Sequence, residues 1–96
     1  MRPSEKFNTY REQIRDIVLS HRAIDVKVFG SVLHDTDTEL SDLDFLIEPT
    51  HETSMMDIGA IRYELKQLLG INVDVLTPNA LPDSFREEVL KEAVQV

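Results

Sequence analysis

The chain has 96 residues, no cysteine, and 18 acidic against 10 basic side chains, for a net charge of −8. A chain this short is expected to form one domain over residues 1–96, burying roughly 60–65% of its unfolded surface and leaving little room for a separate substrate-binding domain. The lack of cysteine excludes disulfides, thiol nucleophiles and thiolate zinc sites. The polar first ten residues do not read as a secretory signal, and no apolar run approaches the ~20 residues of a membrane span, so a soluble cytoplasmic protein is expected.

The charge is concentrated in one segment. No Lys or Arg lies between Lys27 and Arg62, whereas Asp35, Asp37, Glu39, Asp42, Asp44, Glu48, Glu52 and Asp57 all do. These eight acids equal the whole net charge, because the other ten balance the ten bases. Such a surface repels duplex nucleic acid and attracts a cation or a basic protein.

In chain order, residues 4–21 read as a helix capped by Ser4, with Phe7, Tyr10, Ile14, Ile17 and Val18 on one face. Residues 25–29 read as a strand ending at Gly30. Residues 31–34 suit a short helical turn, and 35–41 form a polar loop. A second strand spans 42–48 and is stopped by Pro49. Thr53 or Ser54 caps a helix reaching Leu69, with Met55, Ile58, Ile61, Leu65, Leu68 and Leu69 as its apolar face and Gly70 as its terminator. A third strand covers 72–76. A last helix covers 81–94, with Phe85, Val89, Leu90 and Ala93 turned inward. The strand–helix–strand over 42–76 is long enough for a right-handed crossover between parallel strands, and the short first link suits antiparallel neighbours. The expected fold class is α/β (α+β), with a small mixed sheet of three or slightly more strands and flanking helices.

The chemistry sits on two of these strands. In Ser41-Asp42-Leu43-Asp44-Phe45-Leu46-Ile47, strand alternation sends Asp42 and Asp44 to one face and Leu43, Phe45 and Ile47 to the other. Two carboxylates about 6–7 Å apart along a strand repel unless a cation lies between them. Magnesium suits such hard oxygen ligands and leaves positions for water and phosphate. Asn72-Val73-Asp74-Val75-Leu76 adds Asp74 between two core residues. Three acids converging from two strands are the layout that a two-metal phosphoryl-transfer site needs. After the first strand, Gly30-Ser31 opens a turn whose backbone N–H groups and hydroxyl can cradle a phosphate.

The spacing Gly-Ser, ten residues (Val32 to Ser41), Asp-x-Asp on a strand, then a strand Asp after one helix resembles the nucleotidyltransferase superfamily that includes DNA polymerase beta and kanamycin nucleotidyltransferase. The short length resembles its minimal branch, the MNT or MntA-like domains. That resemblance implies triphosphate binding by Gly30 and Ser31 and two Mg2+ ions held by Asp42 and Asp44. It gives Asp74 the role of completing the second metal site and deprotonating the acceptor. It also implies ATP as substrate and a HEPN-domain toxin as partner, silenced by transfer of AMP to a tyrosine. The segment departs from the family's usual Gly-Ser-Arg-Ala-Arg-Gly: Gly30-Ser31-Val32-Leu33-His34-Asp35 has no permanent charge at either arginine position. The alternative reading is a binding module whose acidic face docks a basic HEPN-type toxin without chemistry. Lys27, Arg62 and Lys66 are the bases nearest the acidic segment. His21 and His51 read as surface residues, Tyr10 and Tyr63 as packing residues, and at least one of Met55 and Met56 as core filler.

Overall fold

The computed structural model describes residues 2–34, 37, 38 and 40–96; the readings of Asp35 and Glu39 as parts of a polar, acidic loop lie outside these residues. The chain runs through α1 (Pro3–Thr9), α2 (Arg11–Leu19), β1 (Asp25–Phe29), a 3-10 turn (Ser31–His34), β2 (Leu43–Glu48), α3 (Met55–Leu69), β3 (Val73–Leu76), a second 3-10 turn (Pro78–Ala80), α4 (Arg86–Glu92) and β4 (Val94–Gln95). The strands form one mixed sheet in the order β3-β2-β1-β4. β1 and β2 are antiparallel, with Val28 opposite Phe45. β2 and β3 are parallel, with Phe45 opposite Val75, and α3 is their crossover.

Alternation along the strands divides the sheet into two unlike faces. Val26, Val28, Leu43, Phe45, Ile47, Val73 and Val75 turn one way and pack with Ile14 and Val18 of α2 and Ile61, Leu65 and Leu69 of α3. Full burial of a side chain such as Phe45 contributes about 2–3 kcal/mol. The opposite face carries Asp44 and Asp74. Further along it, Leu46 is buried near Pro78 and Leu90.

α3 begins and ends as its sequence signals. Ser54 Oγ accepts the Asp57 N–H at 3.1 Å, and Asp57 Oδ2 accepts the Ser54 N–H at 2.8 Å. Gly70 closes the helix at φ 67°, a left-handed conformation that costs glycine nothing. Arg22 also has a positive φ, 69°; Thr50 and Thr53 hold its carbonyl with hydroxyl hydrogen bonds of 3.0 and 2.8 Å. Among the described residues no helix is long and apolar enough to cross a membrane.

Several expectations are corrected. The N-terminal helix is two helices, broken at Tyr10. α1 is tied down by Asp37 Oδ2 accepting the Ser4 N–H at 3.0 Å and by Lys6 Nζ donating to the Leu69 carbonyl at 2.6 Å. Ser4 is therefore inside the helix, and Asp37 supplies the capping oxygen. Asp37 itself is only 3% exposed, so it is not part of an acidic surface. The last helix is shorter than expected, because Arg86 donates to the carbonyls of Pro78 at 2.9 Å and Leu81 at 2.7 Å and holds residues 78–81 in a turn.

The same C-terminal segment supplies the fourth strand. Val96 is buried and accepts from Arg15 Nη2 at 2.6 Å, which draws the chain into β4 alongside β1. Phe85 and Leu90 are 42% and 40% exposed rather than inward, while Val89 and Ala93 are half-buried. Met55 and Met56 are 80% and 85% exposed, so neither fills the core.

Burial sharpens the role of Asp37. The Ser4 N–H, foremost, holds its carboxyl below the ordinary carboxylate range despite desolvation. A depressed folded pKa gives stability that is present above the unfolded pKa and lost as pH falls through the folded value. Asp37→Asn is expected to cost about 1–2 kcal/mol at neutral pH, lowering the melting temperature by roughly 4–16 °C. The deficit should shrink in acid, as calorimetric melts across a pH series would show.

Candidate active site

The site lies where β1 ends and β2 and β3 begin. β1 runs directly into Gly30, whose φ is 90°. A Cβ at Gly30 would stand 2.5 Å from Asp44 Oδ2. Glycine is therefore required twice here, for the backbone angle and for room beside the carboxylate. Leu33 N–H donates to the Gly30 carbonyl at 3.1 Å, closing the turn that carries Ser31. Sheet register accounts for the approach: Phe29 is paired with Asp44, so the next residue passes over the Asp44 side chain.

On its other side Asp44 pairs in register with Asp74 of β3. Asp44 is half-buried, whereas Asp42 and Asp74 are exposed. Asp42 sits just before β2 begins rather than on the strand. The Asp44 pKa is pushed up to about 6, first by burial, then by the charges of Asp74 and Asp42, and by a hydrogen bond with Asp74. One carboxyl thus registers both of the other acids. The donor set is oxygen only, which suits a hard cation. A divalent ion among these oxygens would relieve the repulsion that raises Asp44. Among the described residues, no three acidic or imidazole side chains already stand at metal-ligand spacing.

The surroundings of Gly30-Ser31 are poor in positive charge. Val32 and Leu33 pack against the core, and His34 Nε2 faces Glu92 at 3.4 Å. His21 pairs with Glu64, and His51 is exposed. Tyr10 packs against the core as expected, whereas Tyr63 is 57% exposed.

Two cavities bracket the sheet. One of about 450 Å3, lined by Arg22, Ile24, Thr50 and His51, lies at the end remote from Gly30. None of Asp42, Asp44 and Asp74 borders it. The other, about 300 Å3, adjoins Asp42 and is lined also by Ser41, Lys66 and Asn72. Asn72 was not singled out from the sequence; its place two residues before Asp74 at the start of the same strand is the signal that marks it.

The profile of the nucleotidyltransferase domain matches residues 11–96, which include all four strands and every acid just described. The chain belongs to that family and is a nucleotidyltransferase by class. A candidate protein adenylyltransferase of Methanocaldococcus jannaschii is 36% identical over 89 residues, covering 93% of this chain and 96% of that protein. The protein adenylyltransferase MntA of Thermococcus cleftensis is 28% identical, covering 88% and 94%. Among solved structures, a candidate minimal nucleotidyltransferase superposes with a TM-score of 0.86 at 33% identity, covering 97% of this chain and 95% of the other. A toxin–antitoxin complex with AMP-PNP superposes at 0.70 and 15% identity, covering 97% and 71%, which is a likeness of fold.

Two expected outcomes follow from the geometry. Gly30→Ala puts a methyl group into the Asp44 carboxylate and an L-residue at a left-handed angle. A cost of about 1–3 kcal/mol is expected from thermal melts. For Asp44, a folded pKa of about 6 against 3.8 means that the folded state binds the extra proton between those values. Stability should then fall as pH rises through that window. In EDTA at low salt and neutral pH, Asp44→Asn should melt higher than the wild type, by roughly 1–2 kcal/mol after allowance for solvent screening. A variant that melts lower at neutral pH would show that Asp44 is an ordinary structural carboxylate.

Proposed function

We propose that this chain is a magnesium-dependent adenylyltransferase that takes AMP from ATP and transfers it to a hydroxyl of a protein partner. The observation that carries this reading is the half-buried Asp44 carboxyl, held between Gly30 and Asp74 with its proton affinity raised by two neighbouring acids. Such a group is costly without a cation and suited to binding one.

In this reading Gly30 lets the backbone approach the triphosphate, and the N–H groups and hydroxyl of the Ser31 turn donate to its oxygens. Asp42 and Asp44 would hold Mg2+, and Asp74 would complete a second position. When bound, the two ions neutralise phosphate charge and sharpen the acceptor oxygen as a nucleophile. Asp74 takes the proton as the acceptor oxygen bonds to the α-phosphorus. The bond from that phosphorus to the bridging oxygen breaks, and pyrophosphate departs along the Gly30-Ser31 turn.

The acceptor proposed is a tyrosine of a HEPN-domain toxin, in a cytoplasmic toxin–antitoxin pair. Support comes from the relatives called protein adenylyltransferases, MntA among them, and from the concentrated acidic charge, which suits a basic partner. A second reading, neutralisation of the toxin by binding alone, is favoured by Val32 packed against the core and His34 facing Glu92 at the two positions where the family usually presents arginine.

Ligand-linked stability separates the two readings. With Mg-ATP at about 100 times its dissociation constant, the wild type should gain about 2.7 kcal/mol in stability. Asp42→Asn and Asp44→Asn should gain far less, and neither should modify a co-purified partner. A wild type whose melting temperature is indifferent to Mg-ATP, yet which still binds and silences its partner, would establish the binding module instead.

A further inference from the structure

The outward side of α3 is covered by nothing among the described residues. Ile61, Leu65 and Leu69 turn to the core and are buried. On the opposite side Met56, Gly59 and Tyr63 recur at i, i+3 and i+7 and form one stripe. Met56 is 85% and Tyr63 57% exposed, and Met55, beside the start of the stripe, is 80% exposed. Glycine in a helix interior is unfavourable relative to ordinary helix formers. Nothing within the chain requires it at position 59, because its φ is not positive and a Cβ there would meet nothing within 4 Å. What Gly59 does provide is a notch between Met56 and Tyr63 into which a second backbone can come close.

Charge identifies what fills the notch. The chain carries −8 overall, but the excess is not on the helices that cover the core. On α3, Asp57 and Glu64 balance Arg62 and Lys66, and on α2, Glu12 and Asp16 balance Arg11 and Arg15. A basic protein attracted to the acidic segment gains nothing on this neutral layer, and a second copy of the chain meets no local repulsion there. The charges are also sorted. Arg62 and Lys66 lie on one flank of the stripe, Asp57 and Glu64 on the other. A twofold axis parallel to α3 brings unlike flanks of two copies together, whereas antiparallel helices bring like flanks together.

We propose that the outward side of α3 is a self-association surface, on which a second copy docks with its own α3 running in the same direction. Gly59 meets Gly59 of the second copy, and Met56 and Tyr63 of both copies close the seam on either side. Lys66, which forms no ion pair among the described residues, lies beside Glu64 of the second copy. Asp44 and Asp74 are on the other face of the sheet, so both carboxylate rows stay open in the pair. One helix of 15 residues from each copy is a small interface, and a dissociation constant on the order of 10–100 µM is expected.

Sedimentation equilibrium of the full chain from about 5 µM to about 1 mM spans that range. The wild type should pass from monomer to dimer and stop there, since a twofold contact closes on itself. Gly59→Gln puts its side chain into open space, so the dilute monomer should melt roughly 2–5 °C higher. The same variant should weaken dimerisation by about tenfold or more. These opposed effects separate a lost interface from a damaged fold. Lys66→Glu should weaken association roughly fivefold, and adding Glu64→Lys to the same chain should restore most of it.

A wild type that is still monomeric at about 1 mM would overturn the proposal. So would association that continues beyond a dimer, or an association constant unchanged in Gly59→Gln. A double variant no better associated than Lys66→Glu alone would overturn the parallel pairing.

Discussion

The structure turns on the meeting of Gly30 with the Asp44 carboxylate. No side chain beyond hydrogen fits where the chain leaves β1, because a Cβ there would lie 2.5 Å from Asp44 Oδ2. That contact is set by register and not by any flexible loop: Phe29 opposite Asp44, and Asp44 opposite Asp74. A one-residue slip of β2 would turn every side chain over, sending Asp44 into the core and Phe45 out. The burial of Phe45, Leu43 and Ile47 therefore also fixes where the acids face. Core stability and site geometry are the same constraint seen from the two sides of one sheet.

Holding acids together in this way opposes folding, and the compensations lie outside the site. Arg86 gathers the carbonyls of Pro78 and Leu81, Arg62 donates to the Val73 carbonyl at 3.1 Å, and Arg15 holds the Val96 carbonyl. These guanidinium groups thus tie main-chain carbonyls, contacts that matter more than surface ion pairs, which contribute little. Asp37 does the converse at α1, where a buried carboxylate caps a helix amide. These ties hold β3, the C-terminal turn and α1 against the sheet, leaving the end of β1 and the start of β2 to carry the charge.

The sheet and the acid layout were legible because they depend on period-two alternation. Val26 and Val28, Leu43 to Ile47, and Val73 with Val75 each state which face is core, and the acids between them follow. The cap of α3 was legible for a local reason, since Ser54, Asp57 and Gly70 act within one helix. What the sequence did not disclose depends on contacts distant in the chain. The break at Tyr10 comes from Asp37 and Leu69, 33 and 63 residues from the groups they hold. β4 comes from Val96 entering the core and Arg15 meeting it 81 residues away. Phe85, Leu90 and the two methionines were misassigned because an apolar residue at helical spacing is counted as core whether or not anything covers it. The cavity beside Asp42 joins residues from three segments, so no linear motif describes it.

The uneven cover of the acid-bearing face has a consequence for how a chain this small can work. The Pro78–Ala80 turn, Leu81 and α4 close the lower half of that face over Leu46. Nothing in the described chain closes the upper half, where Asp42, Asp74 and Asn72 are exposed. Electrostatic stabilisation of a transferring phosphoryl group is strong only where water is kept out. An exposed carboxylate row therefore works at full strength only once a second surface has covered it. In the proposed reaction, the protein that bears the acceptor hydroxyl is the surface necessarily present at that moment. If the proposed reaction is right, docking of the substrate protein and completion of the site are one event, and free chain in water would turn over nucleotide slowly for the same reason that it leaves Asp42 and Asp74 wet.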